Sequence, residues 1–134
     1  MSASNYVTLA IDEETFLEKG QHLKEFLSQC DSIEITKKGA RQKRAYYFMF
    51  EAVCWWPTIE GVKDIHKFID DNNEMTGMVK IGEDWTDIET YGSYHDFDIY
   101  PYTIISKPDD NEVISIEDFL STNSVKFIKE LPDE

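Results

Sequence analysis

The chain has 134 residues, enough for one hydrophobic core, with 41% apolar and 13% aromatic against 30% charged residues. That aromatic content excludes a disordered chain despite the formal net charge of −14. The longest apolar run, 45 to 56, is interrupted by Glu51 and falls short of the roughly twenty residues of a membrane span.

The first residues carry neither a basic segment nor an apolar stretch of the signal-peptide kind, so a cytoplasmic protein is expected. Cys30 and Cys54 are expected as reduced, buried thiols. Charge is uneven. Residues 1–56 hold seven Lys/Arg and eight Asp/Glu; residues 57–134 hold six and nineteen. Lys37, Lys38, Arg41, Lys43 and Arg44 form a small basic tip on this acidic body.

Taken in chain order, Tyr6 to Ile11 is rich in β formers and predicts a strand. Asp12 is placed to cap a helix over 13–29, whose apolar face is Phe16, Leu17, Leu23, Phe26 and Leu27. Ser32 to Thr36 alternates as a half-buried strand, and the basic segment then forms a loop. Ala45 to Trp56 predicts a central strand covered on both faces.

Thr58 is the expected cap of a second helix with Ile59, Val62, Ile65, Phe68 and Ile69 on one stripe. Met75 to Ile81 predicts the next strand. The order β-α-β-β-α-β predicts an α+β fold with a ferredoxin-like antiparallel core over about 5–82. An extension over about 83–131 is expected to add a β-hairpin, from Asp87–Tyr91 and Phe97–Ser106, and a helical segment opened by Ser115. One domain, 1–134, is expected.

No Gly-rich phosphate loop, no G-x-S-x-G elbow and no Cys/His zinc spacing occurs, so neither a cofactor nor a metal is expected and a non-enzymatic role is favoured. A metal-dependent enzyme is the minor alternative. It would use Asp84, Asp87, Glu89, His95, Asp96 and Asp98, provided their strands pair.

Arg44 to Phe50 resembles in position the basic–aromatic stacking strand of RNA-recognition motifs, with Tyr46 beside Lys37, Lys38, Arg41, Lys43 and Arg44. It departs from that pattern at Ala45, Tyr47 and Glu51. The acidic body also repels phosphate, so direct nucleic-acid binding is the second alternative.

The leading expectation rests on aromatic residues interleaved with acids: Glu83, Asp84, Trp85, Asp87, Glu89, Tyr91, Tyr94, Asp96, Asp98, Tyr100 and Tyr102. Tyr and Trp anchor interfaces, and a charged rim steers a partner of opposite sign. These residues are expected to bind a basic protein partner: a nuclease, a toxin or a nucleic-acid-binding protein. By analogy of physical class the chain would be an immunity-type, antitoxin, anti-restriction or anti-CRISPR inhibitor, presenting carboxylates where phosphates would lie. A homodimer through an open sheet edge is a further expectation, and a membrane partner is not expected.

Overall fold

A computed structural model describes residues 5–37, 43–82, 87–99 and 112–121. It is an α+β structure built on one antiparallel sheet. The strands are β1 (Asn5–Asp12), β2 (Ser32–Lys37), β3 (Arg44–Val53), β4 (Thr76–Gly82), β5 (Ile88–Gly92) and β6 (Glu112–Ile114). The helices are α1 (Glu13–Lys19), the single turn α2 (Lys24–Leu27), α3 (Glu60–Asp71) and α4 (Ile116–Ser121). The strand order is β5-β4-β1-β3-β2-β6, so the sheet is wider than the expected core and grows at both edges.

Parity along β1 sorts the core into two layers, because successive side chains leave a strand on opposite faces. Val7, Leu9 and Ile11 meet the helices together with Ile33, Tyr46, Phe48, Phe50 and Met78. Ala10, Ala45, Tyr47, Val79 and Ile81 face the other way and are covered by Phe97 and Ile99. The centre of the helical layer is aromatic. Phe16 lies 5.1 Å from Tyr46 edge-on and 5.4 Å from Phe119 in a stacked pair, geometries that the ring quadrupole favours.

The local signals act largely as expected at the helix starts. The Asp12 carboxylate accepts from the Thr15 N–H at 3.1 Å, and Ser115 Oγ accepts from the Asp118 N–H at 3.1 Å. Thr58 does not cap α3: the cap position is Ile59, with no side-chain hydrogen bond. The predicted single helix over 13–29 stops at Lys19, tightens into a 3-10 turn over Gln21–Leu23 and resumes as α2. Gly20 ends α1, and the break lets Leu23, Leu27 and Cys30 reach the sheet.

Two close approaches need glycine. A Cβ on Gly61 would lie 2.2 Å from the Phe26 ring, which closes the gap between α2 and α3. One on Gly77 would lie 2.7 Å from the Tyr94 Cα, where a 3-10 turn over Tyr94–Phe97 crosses β4. That turn replaces the expected start of a hairpin strand at Phe97, and the remainder, 100–106, lies outside the described residues. β5 pairs with β4 instead. The segment around 122–131 also lies outside the described residues. Among the described residues no helix is long and apolar enough to cross a membrane.

Both thiols are free. Cys30 is buried as expected, and burial beside Asp31 pushes its pKa up to about 12. Cys54 is exposed instead, because β3 ends at Val53 and the chain there turns toward solvent.

Phe16 is fully buried between three aromatic neighbours. Phe16→Ala is expected to cost about 3–5 kcal/mol, read as a lower urea midpoint at unchanged m-value. A loss below about 1 kcal/mol would mean that α1 and α4 do not share one core with β3.

Candidate binding groove between α3 and the sheet edge

The amphipathic α3 buries Val62, Ile65, Phe68 and Ile69 against the sheet. Its flank toward β5 bears Lys63, His66, Lys67 and Asp70, spaced by three and four residues on one side of the helix. On the sheet, Lys80 and Glu89 are cross-strand partners, as are Met78 and Tyr91. Glu89 and Tyr91 sit two apart on β5 and therefore share the helical face. Between α3 and β5 lies a groove of about 600 Å³, bounded by Pro57, Lys63, His66, Asp70 and Tyr91.

A chain of polar contacts passes through two residues that line this groove, His66 and Tyr91. Trp55, buried just after β3, donates its Nε1–H to His66 Nε2 at 3.1 Å. The His66 ring stands edge-on to Tyr91, with centroids 4.7 Å apart. Tyr91 donates its hydroxyl to Glu89 Oε1, and Lys80 Nζ lies 3.5 Å from Glu89 Oε2. Indole N–H is a donor only, so Nε2 of His66 is the bare nitrogen and Nδ1 carries the proton in the neutral ring.

Electrostatics follow from these contacts. Burial pushes the His66 pKa below its ordinary value; Asp70 pulls it up, Lys80 pushes it down and Glu89 pulls it up. The Tyr91 bond holds Glu89 below the usual carboxylate range, with Lys80 adding to the effect against burial. Burial and the bond to Glu89 raise the Tyr91 pKa, so its proton stays on the phenol. His66 Nε2, the Tyr91 hydroxyl and the Glu89 carboxylate are each committed to a neighbour.

Among the described residues, the aromatic–acidic set expected from the sequence does not gather on one surface. Glu89 and Tyr91 lie half-buried on the helical face. Tyr94 packs on the opposite layer, with exposed His95, Asp96 and Asp98 on the turn beside it. Asp98 closes that turn in the left-handed region at φ 62, which aspartate tolerates. Asp87 is exposed at the entry to β5. Glu83, Asp84, Trp85, Tyr100 and Tyr102 lie outside the described residues.

The same division separates the metal candidates. Glu89 is on one face while His95, Asp96 and Asp98 are on the other, and Asp84 lies outside the described residues. Among the described residues no three His, Cys, Asp or Glu side chains converge to hold an ion.

At the basic tip, Lys37 and Lys43 are exposed, and Arg44 lies 3.2 Å from Glu13. Lys38 and Arg41 lie outside the described residues. Tyr46 is fully buried on the helical layer, so its ring is not available to stack on a base. Trp56 and His66 carry no expectation as site residues from the sequence. Trp56 is 47% exposed beside Pro57, and His66 meets Trp55. The only sequence signal for this corner is the Trp55-Trp56-Pro57 exit from the strand.

Protonating His66 turns its bare nitrogen into a donor facing another donor, so the Trp55 bond breaks. The unfolded chain binds that proton more readily than the folded one. Stability from this contact is therefore fully present above the ordinary pKa of 6.5 and falls as pH drops toward the depressed folded value. As pH falls from 6.5 toward that depressed value, the indole N–H resonance of Trp55 should shift and lose its protection relative to a free indole. In His66→Phe the resonance should no longer depend on pH. An indole signal insensitive to pH in the unmodified protein would refute the contact.

No protein-family model matches this chain, and neither does any curated protein or solved structure.

Proposed function

We propose that this chain is a non-enzymatic acidic binding protein that engages and blocks a basic protein partner, in the manner of an immunity-type or anti-defence inhibitor. The observation that carries the reading is the balance of exposed charge. Among the described residues fifteen Asp and Glu are exposed, against five Lys. Such an excess of one sign projects a field that attracts a basic surface and repels nucleic acid. Rings suited to anchoring a partner accompany it: Trp56 is exposed, and Tyr91 and Tyr94 are half-buried at opposite faces.

A non-enzymatic role is supported by how the most polar row is used. The basic nitrogen of His66 is occupied by Trp55, and the Tyr91 hydroxyl is given to Glu89. Neither is free to serve as a general base while those bonds hold. Cys30, with its pKa pushed up to about 12, lacks the thiolate character of a nucleophile.

Two finer points belong to the same reading. The inner order β4-β1-β3-β2, wholly antiparallel, supports a ferredoxin-like core to which β5 and β6 are additions. The two unpaired thiols support a cytoplasmic setting.

Capture from native lysate on the immobilised protein, at about 50 mM and about 300 mM salt, tests the reading, because exposed charges are screened over roughly 10 Å at 0.1 M. Retained proteins should be basic and should elute with salt. With the purified partner, Asp87→Asn with Glu89→Gln, or Asp96→Asn with Asp98→Asn, should slow association about tenfold on whichever face is used. Binding that ignores salt and both pairs of substitutions would refute it.

A further inference from the structure

We infer that β5 is a docking edge, to which an extended segment of a partner protein, alternating basic and β-branched residues, adds as a further strand beside the α3 groove. The inference rests on the basic-partner reading and names the surface and the peptide chemistry that would serve it.

The hydrogen-bond parity of β5 is fixed at both ends. The Gly82 N–H donates to the Asp87 carbonyl at 2.8 Å, and the Ser93 N–H donates to the Thr76 carbonyl at 2.7 Å. With the antiparallel register between them, Asp87, Glu89, Tyr91 and Ser93 turn their backbone groups inward to β4. Ile88, Thr90 and Gly92 turn theirs outward. Among the described residues no strand pairs with that outer edge. Ile88 is 37% exposed, Thr90 is exposed and Gly92 is half-buried, so among the described residues this edge is the uncovered side of β5. Such an edge is a template for strand addition.

Side chains specify the occupant. The helical side of β5 shows Asp87, Glu89 and Tyr91, and residues 87–99 contain no Lys or Arg. Residues of an added strand that face Asp87 and Glu89 are their cross-strand neighbours, where opposite charge is favoured and like charge opposed; the exposed Asp87 carries more of this preference than Glu89, which Lys80 and Tyr91 already share. Asp70 adds a carboxylate from α3 at the same groove. Of the nearby cations, Lys67 and Lys80 are held by Asp71 and Glu89 at 3.1 and 3.5 Å. Lys63, exposed on the groove, is the one an incoming basic side chain must avoid.

On the other side, Ile88 and Thr90 suit β-branched neighbours. A second copy of this chain fits poorly, because pairing β5 with itself crowds the Asp87 and Glu89 carboxylates of both copies onto one face.

The test is an NMR titration of the full chain with a synthetic peptide alternating arginine and valine. Its glutamate–valine counterpart and a proline-interrupted arginine peptide of equal charge serve as controls. Only the arginine–valine peptide should slow amide exchange at Ile88, Thr90 and Gly92. Thr90→Pro removes an outward N–H and spares the ladder to β4, so it should weaken binding at least about tenfold, while Thr90→Val should not. If Thr90→Pro does not fold, the exchange pattern of the unmodified protein decides alone.

Binding that leaves those amides unprotected, or equal binding of the proline-interrupted peptide, overturns the docking edge and leaves the basic-partner reading intact. No binding of the arginine–valine peptide at millimolar concentration also overturns the edge, whose charges would then only guard against self-pairing. The partner reading falls separately, if the lysate capture retains no basic protein.

Discussion

Burial of both faces of β1 and β3 is the constraint from which the rest of the arrangement follows. These strands pair along almost their whole length, from Asp12 opposite Ala45 to Val7 opposite Phe50. On one side they need bulk, which Phe16, Phe68 and Phe119 bring from three helices. On the other they present Ala10 and Ala45, whose small side chains leave room for Phe97 and Tyr47 to lie over the sheet. The Tyr47 hydroxyl, which burial would otherwise strand at a cost of about 1–3 kcal/mol, donates to the Phe97 carbonyl at 2.6 Å. A single hydrogen bond thus ties the covering turn to the central strand.

With the centre closed in this way, polar side chains are left to the margins. α3 packs its apolar stripe on the sheet and leaves its polar flank above β5. His66, Tyr91 and Glu89 are positioned by elements that the core already holds rigid, so the groove costs little additional ordering. The Trp55–His66 bond extends that rigidity to the turn after β3, where Trp56 projects. A ring on such a turn offers contact area with few rotamers to lose.

Much of this architecture is legible in the residues, and the misses share a cause. Strands β1 to β4, the caps at Asp12 and Ser115, and the stripe of α3 all follow from local pattern. Facing is lost where local pattern carries none. Ala45 to Phe50 is apolar at every position, so only the register with β1, Ile11 opposite Tyr46 and Ala10 opposite Tyr47, decides which ring enters which layer. The aromatic–acidic stretch reads as one surface in one dimension. The turn at Ser93 carries Tyr94, Asp96 and Asp98 across the sheet, and nothing in its composition announces that crossing. Trp55 and His66 are eleven residues apart and meet only because a turn and a helix bring them together. No periodicity encodes such a contact.

For the proposed partner, dispersed charge and a localised edge would divide the work of recognition between them. Carboxylates spread over both faces act at a distance, raising encounter rates with a basic surface while specifying no orientation. Orientation and residence need short-range, directional groups, and these lie where backbone donors and acceptors are unspent beside a shaped groove. The two demands conflict on one strand, since an open edge invites pairing with its own copies. Asp87 and Glu89 resolve the conflict through their sign: carboxylates repel a second acidic edge and attract a basic one. At the proposed docking edge, the acidity of this chain would therefore act as a selection rule on what can pair with β5.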